Sequence, residues 1–196
     1  MTKSTRELHM RSTRSHRDAG ERIGYAHAAC KLGPLFVAAT DRGLCAVEFL
    51  TAEEGQTQLL RRFPHAHIEA GDAQLRGWVK QLVALMNNGA KPSKLPLDIR
   101  GTAFQTQVWK ALQRIAPGTT ISYGELAAQL GRPQAVRAVA RACGSNRVAV
   151  LVPCHRVIGR DGSLTGYHWG LERKRALLAR EASAKSKGRQ PAPAMR

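Results

Sequence analysis

The stretch Ser122–Gly144 reads SYGELAAQLGRPQAVRAVARACG. Ser122 and Glu125 have the spacing of a capping box, in which each side chain bonds the other's backbone N–H at a helix start. The helix opened there is expected to stop at Gly131, because glycine takes the left-handed conformation that ends helices. Pro133 has the fixed φ favoured at the first position of a new helix, and Gln134 to Cys143 continue it to Gly144. Two short helices around Gly131-Arg132-Pro133 predict a helix-turn-helix carrying Arg132, Arg137 and Arg141. Pairs of this kind also occur in ordinary helical cores, so charge has to separate the two readings.

The chain has 196 residues, with 31 Lys and Arg against 14 Asp and Glu, a net charge of +17. The largest share of the excess, +8, lies in 101–182, with 12 basic and 4 acidic side chains; 10 of the 12 are Arg. Arginine forks onto phosphates and stacks on bases, so this bias favours a nucleic-acid partner over a merely solvated face. Apolar residues at 43% and charged residues at 23% fit a globular chain. The longest apolar run, Val148 to Pro153, is far short of the roughly 20 residues of a membrane span. Residues 1–22 lack the apolar segment of a secretory signal. The expectation is a cytoplasmic protein with no membrane partner.

Outward from the helix pair, Phe104, Val108, Trp109, Leu112 and Ile115 form one face of a helix that Pro117-Gly118 ends. Upstream, the pattern turns strand-like from Arg22. Leu35–Ala39, the turn Asp41-Arg42-Gly43 and Leu44–Leu50 predict a hairpin. A short helix is expected over Thr57–Phe63. Leu75, Trp78, Val79, Leu82, Leu85 and Met86 form a helical stripe closed by Gly89. The segment Lys91–Asp98, with two prolines, links to the basic half. This predicts an α/β domain at 22–100 with a small antiparallel sheet and a mainly α domain at 101–182 with the helix-turn-helix. Basic flexible tails are expected at 1–21 and 183–196.

The chemical candidate lies where Val148–Val152 ends in Pro153-Cys154-His155-Arg156-Val157. A thiolate is the nucleophilic form of cysteine, and a neighbouring imidazole and cation lower its pKa. Adjacent residues of an extended strand face opposite ways, so contact between Cys154 and His155 requires a bent backbone or a bridging water. Pro153 could supply the bend. Cys30, Cys45 and Cys143 lack such neighbours, and the absence of a Cys-x-x-Cys pair argues against a zinc site. Three readings stay open on these residues: a structural cysteine beside a surface histidine, a Cys-His hydrolase or peptidase, and a DNA-binding regulator without enzymatic activity.

The pentapeptide Pro153–Val157 resembles the active-site motif of the O6-alkylguanine-DNA alkyltransferase family, also called methylated-DNA–protein-cysteine methyltransferases. The resemblance extends through Gly101-Thr102-Ala103-Phe104-Gln105, Val108-Trp109, Ile121-Ser122-Tyr123, Ala135–Val139 and Gly166-Tyr167, and runs from about Arg22 to Ala182. Leu95–Phe104 and Tyr167-His168-Trp169-Gly170 look more closely like the carboxy-terminal repair half of the bacterial adaptive-response (Ada) branch. No stretch resembles the zinc-binding, phosphotriester-repairing half, which makes a stand-alone alkyltransferase the expectation.

The resemblance implies a ribonuclease H-like first domain. It also implies irreversible, stoichiometric transfer of a methyl or small alkyl group from O6 of guanine in DNA to Cys154, with O4 of thymine an open second substrate. His155 would deprotonate Cys154 through a water, with Glu181, 27 positions beyond the cysteine, behind it. A base in a duplex stack must be flipped out to be reached. Arg137 would fill the gap, Tyr123 would help extrude the nucleotide and donate to guanine N3, and Asn146 would hold the turn after the second helix. Ala135, Arg132 and Arg141 would also face DNA, in the minor groove. Ala149, Pro153, Trp169 and His168 would wall the alkyl pocket, with Ala149 and Trp169 disfavouring large groups. No cofactor or metal is implied, and the expected form is a monomer of the bacterial cytoplasm or nucleoid acting on double-stranded DNA. A family relative that only binds DNA would lack Cys154, and a hydrolase would turn over many times.

Overall fold

The computed structural model describes residues 20–89 and 94–187, so most of both expected tails, 1–19 and 188–196, lies outside the described residues. The chain divides into two compact units. One runs to Leu85 and includes the segment ending at Asp98; the other holds 86–89 and Ile99 onward.

In the first unit, β1 (Arg22–Cys30), β2 (Gly33–Thr40) and β3 (Gly43–Glu48) form an antiparallel meander, and β4 (His67–Ala70) closes a four-stranded sheet in the order β3-β2-β1-β4. β4 pairs with β1 in parallel, from Arg22↔His67 to Tyr25↔Ala70. The sheet is therefore mixed, not purely antiparallel as the sequence suggested. A four-residue strand flanked by helices carries too little alternation to reveal this. β2 and β3 are almost wholly buried, which their continuous apolar runs require.

Helix α1 (Ala52–Arg62) starts five residues before the expected Thr57, because Thr51 and Glu54 make a reciprocal capping box. It lies so close to the sheet that a Cβ on Gly55 would sit 2.2 Å from the Phe36 ring. Ile23, Phe36, Ala38, Cys45, Ala46, Leu59 and Phe63 form the core there. Helix α2 (Ala73–Asn88) buries Leu75, Val79, Leu82 and Met86 along the expected stripe.

The second unit contains α3 (Ala103–Leu112), β5 (Ile121–Ser122), α4 (Tyr123–Gln129), α5 (Val136–Gly144), β6 (Val157–Ile158) and α6 (Leu171–Lys187). α6 continues past residue 182, where the second domain was expected to end. Ser122 and Glu125 cap α4 reciprocally, and Gly131 after it has φ 68°. Pro133 opens a single 3-10 turn, Pro133–Ala135, which leads directly into α5. α3 is tied to α5 by Trp109 Nε1, which donates to the Ala142 carbonyl at 2.8 Å. β5 and β6 pair in parallel, joining Ile121 to Val157. This short ladder links the residue before α4's cap to the residue after the Cys-His-Arg turn. Among the described residues, no helix is long and apolar enough to cross a membrane.

Candidate active site

The apolar run before Cys154 is a turn, not a strand. Val148 makes a bridge, 149–151 turn, and Val150 takes φ 69°. The left-handed region is costly for a β-branched side chain, and such outliers gather at functional sites. Val152 N donates to the Val148 carbonyl across this turn. The chain then makes a 3-10 turn over Cys154–Arg156, which supplies the bend that a Cys-His pair needs.

Asn146 holds the turn from inside. Fully buried, it accepts from Val148 N (2.9 Å) through Oδ1 and donates through Nδ2 to the Val152 carbonyl (2.8 Å) and to Cys154 Sγ (3.2 Å). One amide thus fixes the backbone on both sides of the bend and places a donor on the sulfur.

Cys154 is 5% exposed and His155 fully buried. His155 Nε2 lies 3.0 Å from Glu181 Oε1. Arg156 turns its guanidinium to the same carboxylate, with Nε 2.9 Å from Oε2 and Nη2 2.6 Å from Oε1, and Nη1 donates to the Ile115 carbonyl. Gly118 N also donates to Glu181, at 3.0 Å. Burial raises the Glu181 pKa, but the bonds from His155, Arg156 and Gly118 outweigh it and hold the carboxyl down at about 2. Burial lowers the His155 pKa against the pull of Glu181, so the imidazole rests neutral.

The thiol behaves differently from the sequence expectation. Arg156 is committed to Glu181, and burial pushes Cys154 up to about 11, opposed by the Asn146 bond and the charge of Lys174. At neutral pH the resting group is a thiol, and its proton has to leave during the reaction. Lys174 escaped the sequence reading. Fully buried in α6, its ammonium donates to the carbonyls of Val157 (2.7 Å), Thr165 (2.9 Å) and Gly166 (3.5 Å), pinning the loop whose Thr165 and Gly166 line the same cavity as Cys154. No local pattern in LERKRALLAR marks that lysine as buried.

Cys154 opens onto a cavity of about 550 Å3, within the range of small-ligand sites. Tyr123 of α4 lines it, with Val136, Arg137, Ala140, Cys143 and Gly144 of α5 and with Thr165–His168. Tyr123 Oη makes long contacts to the Thr165 and Gly166 carbonyls (3.4 and 3.5 Å), and burial pushes its pKa up to about 12, so it stays a donor. Arg147 donates to His168 Nε2 at 2.8 Å.

Of the expected wall residues, only His168 lines this cavity. Ala149 and Pro153 are buried and not among the lining residues. Trp169, 5% exposed, is also absent from the lining, but its ring packs edge-on against Tyr167 and His168, at 5.2 Å to each. Trp169 thus acts on the cavity by backing two residues that do line it. On the helix pair, Arg137 and Arg141 are exposed, Ala135 ends the 3-10 turn, and Arg132 lies over the Phe104 ring at 5.4 Å. The stripe Val136, Ala140 and Cys143 went unassigned, although its i, i+4, i+7 spacing on the second helix was readable.

Residues 23–99 match the ribonuclease-like domain of 6-O-methylguanine DNA methyltransferases, and residues 103–183 match their DNA-binding domain. The chain belongs to the 6-O-methylguanine DNA methyltransferase family. It is 46% identical over 176 residues to the bifunctional transcriptional activator/DNA repair enzyme Ada of Escherichia coli, covering 87% of this chain and 49% of that protein. The chain thus spans about half the length of that relative. A methylated-DNA–protein-cysteine methyltransferase of Salmonella typhimurium is 43% identical over 157 residues, covering 78% of this chain and 92% of the relative. The crystal structure of the Mycobacterium tuberculosis O6-methylguanine methyltransferase superposes with a TM-score of 0.69 at 42% identity, covering 87% of this chain and 96% of that one. The same mycobacterial protein has also been solved in complex with DNA.

Proposed function

We propose that this chain repairs DNA by irreversible transfer of a methyl or small alkyl group from O6 of guanine to Cys154, one group per chain. The observation that carries this reading is a shared cavity: Cys154 opens onto the space lined by Arg137 and Tyr123 of the helix-turn-helix. A nucleotide flipped from a duplex bound by that helix pair would meet the thiol directly. Family membership supports the same reaction.

Cys154 gives its proton by way of a water to His155, whose charged form Glu181 stabilises across the 3.0 Å bond. The sulfur attacks the alkyl carbon, the S–C bond forms, the C–O6 bond breaks, and guanine leaves with the electron pair. Tyr123 donates to the departing base, and Asn146 holds the sulfur in line. Arg137 occupies the vacated stack, and the helix pair with Ala135, Arg132 and Arg141 sits in the minor groove. No cofactor or metal enters these steps. The protein acts as a monomer in the cytoplasm.

Cys154→Ala should bind a duplex carrying O6-methylguanine yet leave its methyl count unchanged, while Cys143→Ala should still remove the methyl. Loss of transfer in a folded Cys143→Ala protein, with Cys154→Ala active, would move the acceptor to the other thiol.

A further inference from the structure

In the proposed transfer the thiol proton passes through a water to His155, and no other group in those steps holds that water. His155 Nδ1 and the Tyr167 hydroxyl are both buried, and neither hydrogen-bonds to a protein atom. Their rings meet edge-on, with centroids 6.5 Å apart at 81°. Tyr167 and Cys154 line the same cavity. Buried polar groups are nearly always bonded, and two orphans on rings that meet edge-on, one of them in the wall that Cys154 shares, mark a place for a water.

We propose that the Tyr167 hydroxyl, together with His155 Nδ1, holds the water through which Cys154 loses its proton, so that Tyr167 is a positioning residue for the transfer as well as a wall of the cavity. The inference rests on the transferase reading above, since it gives that reading's proton a path. The bonds balance. The water accepts from the Cys154 S–H and from the Tyr167 O–H and donates to the lone pair of His155 Nδ1. When the thiol proton moves to the water, a water proton moves to Nδ1, leaving a thiolate, a neutral water and an imidazolium paired with Glu181. Tyr167 keeps its own proton throughout. Burial and the nearby Cys154 charge hold its pKa well above the usual range, so it can donate but not act as the base. Asn146 Nδ2 approaches the sulfur at 3.2 Å, leaving the water as a second donor to the thiolate.

The groups that could confuse a pH measurement here are Tyr123 of α4, Cys143 of α5, His155 and Arg156 of the site turn, His168 of the loop, and Arg173, Lys174 and Glu181 of α6. Tyr167→Phe leaves all of them in place and keeps the ring.

The test is Tyr167→Phe in the full chain, with two readouts. With a duplex bearing O6-methylguanine, the variant should still end with one methyl per chain. Its rate near pH 7 should fall about tenfold, as expected for one lost hydrogen bond, and should recover as pH rises. Without DNA, carbamidomethylation of Cys154 by iodoacetamide should show its pH midpoint about one unit higher than in the unmodified protein. An unchanged midpoint, with transfer slowed equally at every pH, would overturn the proposal and leave Tyr167 as wall alone. If the unmodified protein accepts no methyl while the iodoacetamide midpoint still shifts, the transferase reading fails and the water site stands. Should the variant not fold, the iodoacetamide rate of the unmodified protein in mixed light and heavy water decides. A curved dependence marks two protons moving together, and a linear one contradicts the relay.

Discussion

Glu181 sets the charge balance of the site, because His155, Arg156 and the Gly118 N–H all converge on it. Its folded pKa of about 2 lies below the ordinary value of 4.5 despite burial, because those bonds favour the carboxylate. A depressed carboxyl pKa stabilises the fold above the unfolded value and loses that contribution as pH falls toward the folded one. The difference corresponds to about 3 kcal/mol. Glu181→Gln should therefore lower stability by about 3 kcal/mol at pH 7 in urea unfolding. It should also flatten the decline in stability between about pH 5 and 2. An acid limb identical to that of the unmodified protein would mean the carboxylate is not held as described. Within the sequence, Glu181 could be found only through the family spacing, since in AREAS it resembles any helix-surface glutamate. The double use of its carboxylate by His155 and Arg156 has no one-dimensional signal at all.

The helix pair was the most readable element, because capping chemistry is local: Ser122, Glu125, Gly131 and Pro133 each act within one turn of the chain. The same rule applied to Thr51 and Glu54 would have placed the start of α1 correctly. What could not be read depends on distant partners. β4 is parallel because it meets β1 across more than forty residues, and Val148–Val152 turns because Asn146 bonds both its ends. α5 presents Arg137 to the cavity while Arg141, one turn on, does not line it. If Arg137 fills the stack left by a flipped nucleotide, Arg137→Ala should slow repair of methylated duplex well beyond its effect on free O6-methylguanine. A residue that only touches phosphate would instead weaken binding and reduce its salt dependence. Equal loss on duplex and free base would contradict the gap-filling role.

At the scale of the whole chain, the positive charge and the chemistry occupy the same residues. The 12 basic side chains of 101–182 share that half of the chain with the only Cys-His pair in the sequence. The α/β unit is nearly balanced, with 9 basic and 7 acidic side chains over 23–100. This division suits one half that folds compactly and one that approaches a polyanion. The central claim is that a single buried thiol takes the alkyl group and keeps it, because a thioether at Cys154 has no route back. The most direct measurement is intact-protein mass spectrometry during titration with a duplex containing O6-methylguanine, followed by peptide mapping. The expected result is a plateau at one methyl per chain, found on the peptide that contains Cys154, with demethylated DNA formed in equal amount. Demethylated DNA accumulating beyond the amount of protein, with the chain's mass unchanged, would contradict it.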